Sequence, residues 1–261
     1  MAFLNPSPVA CLPKTMWLCA QVFTQTGEWP STVRIAPDSL NTPAEKAHVK
    51  VASSGLEKLG FGTLNEAQLK ATVKSYGSFL TWLRSAVSNP SAHEAEDVRA
   101  GVEWLMKQDP ITSISSGNYE LLNSSEVFVN PTRWNTFRFW AIDLGFAESS
   151  ALLGKLDDGL APNPVRAIID TIRTWSRPTD PQPVRTFIDS LSADLPLLPS
   201  TGSEVDLLGK ATSWALLGAH FRGWLTLTEQ ADAARMFLSC PEETGGVRAV
   251  THVVFEERGD E

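Results

Sequence analysis

The feature that most constrains the fold of this chain is a pattern that occurs three times, a helical stretch ending in a glycine that is followed directly by an aromatic residue. The copies are residues 55–61, 140–146 and 217–224. Their glycines, Gly60, Gly145 and Gly223, lie 85 and 78 positions apart. Glycine just past a helix end adopts the left-handed conformation that closes the last turn, and the aromatic residue beyond it anchors the exit segment. The spacing therefore indicates repeated units of small-domain size.

Residues 1–75 predict a first winged-helix-like unit. Thr42, Pro43 and Glu45 give a capping box with proline at the first helical position. Apolar residues then recur at helical spacing. A helix is expected over residues 15–25, a strand over 33–35 and a hairpin arm at 63–64. Helix, strand, helix and hairpin follow one another in a winged helix-turn-helix.

Residues 76–176 predict a second helical, winged-helix-like unit that repeats this order less regularly. Helices are expected over residues 94–107 and 165–176, with a strand over 127–129 between them. The central helix begins at Asn130 and Pro131, an N-cap residue followed by proline.

The proline-rich residues 177–183 predict a linker, and residues 184–261 a third winged-helix-like unit with an acidic tail. In this third unit we expect helices over residues 184–194 and 210–221 and strands over 224–228 and 250–255. The chain as a whole is predicted to be mainly α with small β-wings, an α+β fold of tandem winged-helix-like units.

Charge and composition limit the kinds of partner that the chain can bind. The chain is 43% hydrophobic and 20% charged, the balance of a globular protein, and its net charge of −8 argues against general wrapping by nucleic acid. Residues 1–75 hold seven Lys and Arg against five Asp and Glu, so a mildly basic face is expected only there. The sequence also predicts no membrane-spanning segment and no signal peptide, and thus a cytoplasmic protein.

Three cysteines without CxxC spacing predict buried free thiols rather than a disulfide framework or a zinc site. The histidines are scattered, without the spacing that places two imidazoles on one helix face. No glycine-rich phosphate loop or nucleophile elbow occurs. We therefore expect a protein with no cofactor, no metal site and no catalytic residues.

Glu204 and Asp206 form the pattern that most resembles a catalytic motif. Acidic residues two positions apart occur in metal-dependent nucleases of the restriction type, which also need a strand bearing a carboxylate and a lysine two apart. Residues 211–221 are predicted to be helical and contain no Glu-x-Lys. Exposed carboxylates in a turn or strand are the favoured interpretation, and a restriction-type nuclease subunit stays an alternative.

The residues with the chemistry to contact DNA or a partner lie on one predicted helix in each unit. They are Lys46, Lys50 and Ser53, then Arg133, Trp134, Asn135 and Arg138, and finally Lys210, Thr212 and Ser213. Arginine can read guanine and asparagine can read adenine in the major groove. Any solvated helix face carries similar residues, winged-helix units also serve as protein adaptors, and Trp134 can equally pack in the core.

Scattered anchors along nearly the full length resemble one protein family. They are residues 4–7, 133–135, 139–140, 144–146, 223–225, 232–233 and 250–253. The chain resembles the DpdG-type proteins encoded in bacterial gene clusters that insert and police 7-deazaguanine bases in DNA. The resemblance implies an accessory role beside the ATPase, helicase-like and nuclease-like components of such a cluster, and it implies no reaction.

The combined prediction is a non-enzymatic adaptor of a bacterial DNA-modification or anti-phage defence system. Its partners would be other proteins of the complex and double-stranded DNA. A winged-helix transcriptional regulator is the main alternative, and it would prefer a specific operator, usually as a dimer on symmetric half-sites.

Overall fold

The structure is a computed structural model that describes residues 3–5, 9–33, 42–150, 159–175, 180–198, 206–239 and 249–256. The chain forms two compact lobes. The first lobe comprises Met1–Gly101 and Ser116–Leu144, and the second comprises Val102–Ser115 and Gly145–Glu261. The predicted division into three winged-helix-like units stays a prediction.

The described part of the first lobe is helical. In chain order its helices are α1 (Pro13–Thr26), α2 (Pro43–Lys58), α3 (Glu66–Thr72), α4 (Tyr76–Ser88), α5 (Glu96–Leu105), α6 (Tyr119–Asn123) and α7 (Pro131–Asp143). The end of α5 belongs to the second lobe. Helices α1 and α2 pack against each other.

The described part of the second lobe combines three helices with short strands. In chain order they are β1 (Ala147–Ser149), β2 (Leu160–Pro162), α8 (Val165–Ile172), β3 (Gln182–Pro183), α9 (Val184–Asp194), β4 (Leu207–Leu208), α10 (Lys210–Phe221), β5 (Leu225–Thr228), β6 (Met236–Leu238), β7 (Ala249–Val250) and β8 (His252–Phe255). The expectation of a mainly helical α+β fold with small β elements is confirmed.

The strands that the structure describes form three small sheets. Strands β1 and β2 pair antiparallel, and a second sheet has the order β3-β8-β5 with antiparallel neighbours. In the third sheet β6 lies between β4, to which it is parallel, and β7, to which it is antiparallel. None of the described helices has the length and apolar character needed to cross a membrane.

Local capping explains where two of the predicted helices begin. The Thr42 hydroxyl accepts the backbone N–H of Glu45 at 3.3 Å, and the Glu45 carboxylate accepts the N–H of Thr42 at 2.8 Å. This is the predicted capping box of α2. At α7, the Asn130 side chain accepts the N–H of Arg133 at 2.9 Å.

The three repeated glycines take the predicted left-handed conformation, with φ of 80° at Gly60, 79° at Gly145 and 66° at Gly223. The last two lead into strands β1 and β5. After Gly60 the chain instead forms a short 3-10 helix, Phe61–Thr63, so the hairpin arm expected at residues 63–64 is wrong. The Thr63 hydroxyl donates to the Gly60 carbonyl at 2.7 Å, which keeps the turn tight.

The strand expected over residues 127–129 is also wrong. The Ser125 hydroxyl accepts the backbone N–H groups of Val127 and Phe128, at 3.2 and 3.1 Å. These N–H groups are therefore taken by a serine turn and are not offered to a sheet. Residues 34 and 35 of the strand expected over 33–35, and residues 177–179 of the predicted linker, lie outside the described residues.

An aromatic cluster forms much of the first lobe's core. Trp134 and Phe137 pack against Phe128, with ring centroids 5.2 and 4.8 Å apart.

Two of the predicted buried free thiols, Cys11 and Cys19, are confirmed, and burial raises the pKa of Cys19 to about 11. Cys240 lies outside the described residues.

Candidate DNA-contacting and partner-binding surfaces

Helix α2 presents two of the predicted contact residues to solvent. Lys46 and Lys50 are exposed and lie one turn apart, so both side chains project from the same face. Within the described part of the chain, neither ammonium group has a carboxylate oxygen within 4.0 Å. Ser53 is 7% exposed and faces the core. The α2 surface, defined here as Lys46 and Lys50, thus carries uncompensated positive charge.

Helix α7 separates its predicted contact residues into buried and exposed ones. Trp134 has no exposed surface, which is the core alternative given above. Arg133 is half-buried and donates to the Val127 carbonyl at 2.9 Å. Asn135 is exposed, Arg138 is half-buried, and Phe139 is 56% exposed. The outer face of α7 therefore carries a polar residue, Asn135, and an apolar residue, Phe139, and it is not strongly basic.

Of the predicted contact residues of α10, Lys210 is exposed in a surface ion pair, and Thr212 and Ser213 are buried. Lys210 donates to the Asp109 carboxylate at 3.0 Å. Thr212 is 1% exposed and Ser213 is fully buried. The Ser213 hydroxyl accepts the backbone N–H of Ser239 at 2.8 Å, just beyond β6. Thus the structure places Lys210, Thr212 and Ser213 on one helix. Lys210 is paired, and the other two side chains are buried.

Ion pairs neutralise the arginines of the second lobe. Each arginine that the structure describes there has a carboxylate partner. The pairs are Arg166 and Arg173 with Asp170, Arg185 with Asp206, Arg222 with Glu148, and Arg235 with Glu229. These carboxylates reduce the positive charge that the arginines present to a phosphate group. These paired arginines differ from the lysines of the α2 surface, but the second lobe also has an exposed lysine, Lys107, without a carboxylate oxygen within 4.0 Å among the described residues.

The first lobe also contains a pocket of about 360 Å³ with an acidic lining. It is lined by His93, Glu94, Glu96, Asp97, Ala100, Glu126, Val127 and Arg133. Burial raises the pKa of Asp97, and the backbone N–H of Leu4 and the charge of Arg133 partly oppose this effect. The excess of carboxylates makes the pocket unsuited to a phosphate group.

The residues of the nuclease alternative do not form a described site. Asp206 is exposed and pairs with Arg185, whereas Glu204 lies outside the described residues. Among the residues that the structure describes, no group of three or more His, Cys, Asp or Glu side chains is arranged to hold a metal ion.

Sequence reasoning missed the residues that bind the side chains of α10. Asp109 and Ser239 lie 101 and 26 positions from their partners Lys210 and Ser213. No helical period or capping motif links residues so far apart in sequence. The exposure of Phe139 could have been found, because Trp134, Phe137 and Trp140 already define the buried side of α7.

The fold and these surfaces define a mainly helical α+β protein of two lobes, with uncompensated lysines in one and paired arginines in the other. The chain belongs to the DpdG-like family, whose model matches residues 1–233. This match confirms the resemblance seen in the sequence. The family fits a component of a multi-protein DNA-modification gene cluster. The comparisons with curated proteins and with solved structures find no match.

Proposed function

We propose that this chain is a non-enzymatic adaptor of a bacterial DNA-modification and defence complex, which contacts duplex DNA through the α2 surface and binds partner subunits elsewhere. The observation that carries the proposal is the contrast between the α2 lysines and the described arginines of the second lobe. Lys46 and Lys50 are exposed and uncompensated, whereas the described arginines of the second lobe are paired with carboxylates. Unpaired lysines bind phosphates by releasing counterions from DNA.

The order of elements in the second lobe supports a winged-helix-like unit. Along the chain come α8, β3, α9, β4, α10 and β5, then β6 and β7 before β8, and the second sheet has the order β3-β8-β5. A winged helix-turn-helix has a helix in the position of α10 as its recognition helix, directly before the strands of the wing. Because α10 is largely buried, the lobe in this state is better suited to binding a protein than to reading bases.

The middle of the chain runs through a similar order. Helices α5, α6 and α7 are followed by Gly145 and the antiparallel strands β1 and β2. The same step from helix to glycine to strand occurs at α10, Gly223 and β5. This repetition supports tandem winged-helix-like units, in which α7 is the second recognition-type helix and Asn135 its exposed base-reading side chain.

Apolar side chains on α6 and α7 support a protein partner. Tyr119 and Leu121 on α6 are 57% and 36% exposed, and Phe139 on α7 is 56% exposed. Aromatic residues are enriched in protein interfaces, while surfaces that bind DNA are much more positively charged.

The proposal is tested by measuring binding to a labelled 30-base-pair duplex, modified or unmodified, across a salt series. Lys46→Glu and Lys50→Glu should each weaken binding and reduce the salt slope by about one. Lys107→Glu is the matched control, because Lys107 is an exposed lysine of the second lobe. Melting temperatures should stay near that of the wild type, since exposed surface changes alter stability by only about 0.5 kcal/mol.

Equal binding by the three variants and the wild type would overturn the α2 surface as a DNA contact. A strong preference for one duplex sequence would favour the transcriptional regulator instead. Metal-dependent cleavage of either duplex, abolished by Asp206→Ala, would favour the nuclease and contradict the adaptor.

A further inference from the structure

Helix α7 carries apolar side chains on two opposite sides. On its inner side, Trp134, Phe137 and Trp140 have no exposed surface. On its outer side, Phe139 is 56% exposed and Ile142 is half-buried. A surface helix of a globular protein has one apolar side and one polar side, whereas a helix that is apolar on both sides is covered on both. The outer side of α7 is therefore suited to being covered by another chain.

The residues of this outer side have the spacing of a helix that docks on a partner. They are Asn135, Arg138, Phe139 and Ile142, at positions i, i+3, i+4 and i+7, and they are called the α7 stripe below. Side chains at this spacing are neighbours on one helix face. Amphipathic helices bind through anchors at these four positions. The α7 stripe thus combines two apolar anchors with one amide and one cation.

The cation of the stripe, Arg138, lacks an acceptor. Its Nε atom is buried and has no hydrogen-bond partner among the residues that the structure describes. Its guanidinium group also forms no ion pair with a described carboxylate, unlike each described arginine of the second lobe. Partial burial of an unpaired charge is unfavourable, so buried arginines are normally paired. A carboxylate of a partner would supply the acceptor, since arginine and carboxylate form strong, often bidentate, hydrogen bonds.

The composition of the α7 stripe favours one of three occupants. Surfaces that bind DNA are much more positively charged than a single arginine beside phenylalanine and isoleucine. A second copy of the chain would present the same four residues, which include no carboxylate for Arg138. A helix with an apolar row and an acidic residue complements both the apolar anchors and the charge.

We propose that the α7 stripe docks an amphipathic helix of a partner protein, whose apolar row packs on Phe139 and Ile142 and whose carboxylate pairs with Arg138. The inference rests on the proposed adaptor role, and it specifies the chemistry of the partner. Asn135 belongs to the same stripe, so duplex DNA would compete with the partner helix for this face.

The docking is tested by co-expressing the tagged full chain with each protein of its gene cluster in turn. The affinity of every pair that forms is then measured by titration calorimetry. Arg138→Glu and Phe139→Ala should each weaken one of these pairs by about tenfold or more, as changes at an interface hot spot do. Lys74→Glu is the charge control, because Lys74 is an exposed lysine of the same lobe. Ile111→Ala is the apolar control, because Ile111 is 63% exposed and lies in the second lobe.

Two further measurements test the carboxylate. Changing one acidic residue of the partner helix to lysine should restore binding to Arg138→Glu and weaken binding to the wild type. In the free chain, Arg138→Met should raise the urea midpoint, because it removes an unpaired, half-buried charge and keeps an unbranched side chain. A lower midpoint, or no acidic position that restores binding, would overturn the pairing assigned to Arg138.

The outcomes separate this inference from the proposed function. A cluster protein that binds the wild type, Arg138→Glu and Phe139→Ala equally would overturn the inference and leave the adaptor role in place. If no cluster protein binds the wild-type chain, the adaptor role fails as well. Weaker duplex binding by Arg138→Glu and Asn135→Ala, with protein binding unchanged, would assign the stripe to DNA instead. If the α7 variants lose the partner while Lys46→Glu and Lys50→Glu bind DNA as the wild type does, the inference stands and the α2 contact fails.

Discussion

The Asp97 carboxylate accepts the backbone N–H of Leu4 at 2.7 Å, a hydrogen bond that spans 93 positions of the chain. The same carboxylate accepts the N–H of Phe3 at 3.2 Å. Phe3 in turn stacks on Trp140, with ring centroids 5.2 Å apart. One acidic side chain of α5 therefore fixes Phe3 and Leu4 on the core of the first lobe.

Asp97→Ala should release that segment. Two backbone N–H groups lose their acceptor, and loss of a buried hydrogen-bond partner costs about 1–3 kcal/mol. We expect a lower free energy of unfolding in urea and faster hydrogen exchange at Phe3 and Leu4. Glu96→Ala is the control, because Glu96 is exposed and adjacent. Unchanged exchange at Leu4 would contradict the role assigned to Asp97.

The raised pKa of Asp97 gives a prediction for pH dependence. Burial favours the neutral carboxyl in the folded protein, so the folded pKa lies above the unfolded value of about 3.9. The stability that Asp97 contributes is then fully present below that unfolded value and is lost as the pH rises through the folded pKa. Asp97→Asn does not titrate, so its deficit in unfolding free energy should be larger at acidic than at neutral pH. A deficit independent of pH would show that the folded pKa is not raised.

Gly218→Ala should be destabilising because α10 and α8 are in close contact. A Cβ atom at Gly218 would lie 2.5 Å from a Val165 methyl carbon. Overpacking of this kind costs about 1–3 kcal/mol. The double variant Gly218→Ala with Val165→Ala should recover part of that loss, which a double-mutant cycle of urea unfolding would measure. Additive losses would mean that the two residues do not compete for the same space.

The sequence predicted those features of the fold that depend on local chemistry. The capping box of Thr42 and Glu45 and the left-handed Gly145 and Gly223 follow from residue types within a few positions. The helices α9 and α10 were found because their start and stop signals lie next to them. The prediction of a hairpin arm near Thr63 is wrong because a glycine can lead into a tight turn as readily as into a strand.

Whether a candidate contact residue is exposed, paired or buried could not be predicted from residues within a few positions of it. Lys50 and Lys210 are both lysines on helix faces, yet Lys210 has a carboxylate partner that comes from a distant segment. Ser213 is buried and accepts a hydrogen bond from Ser239, 26 positions further along the chain, which depends on tertiary packing and not on the period of α10. Burial and pairing of a single polar side chain are set by such long-range contacts.

Gly145→Ala should be more destabilising than Gly27→Ala, although both glycines have similar left-handed φ values of 79° and 74°. A left-handed non-glycine residue costs about 1–2 kcal/mol, which is the loss expected at Gly27, where a Cβ would meet no atom within 4 Å. At Gly145 the Cβ would also lie 3.0 Å from the Ala167 backbone nitrogen. That nitrogen donates to the Gly145 carbonyl at 3.2 Å, so it has little freedom to move. We expect a loss of about 2–4 kcal/mol at Gly145, measured by urea unfolding. Equal losses in the two variants would mean that only the backbone conformation, and not the contact with α8, requires glycine there.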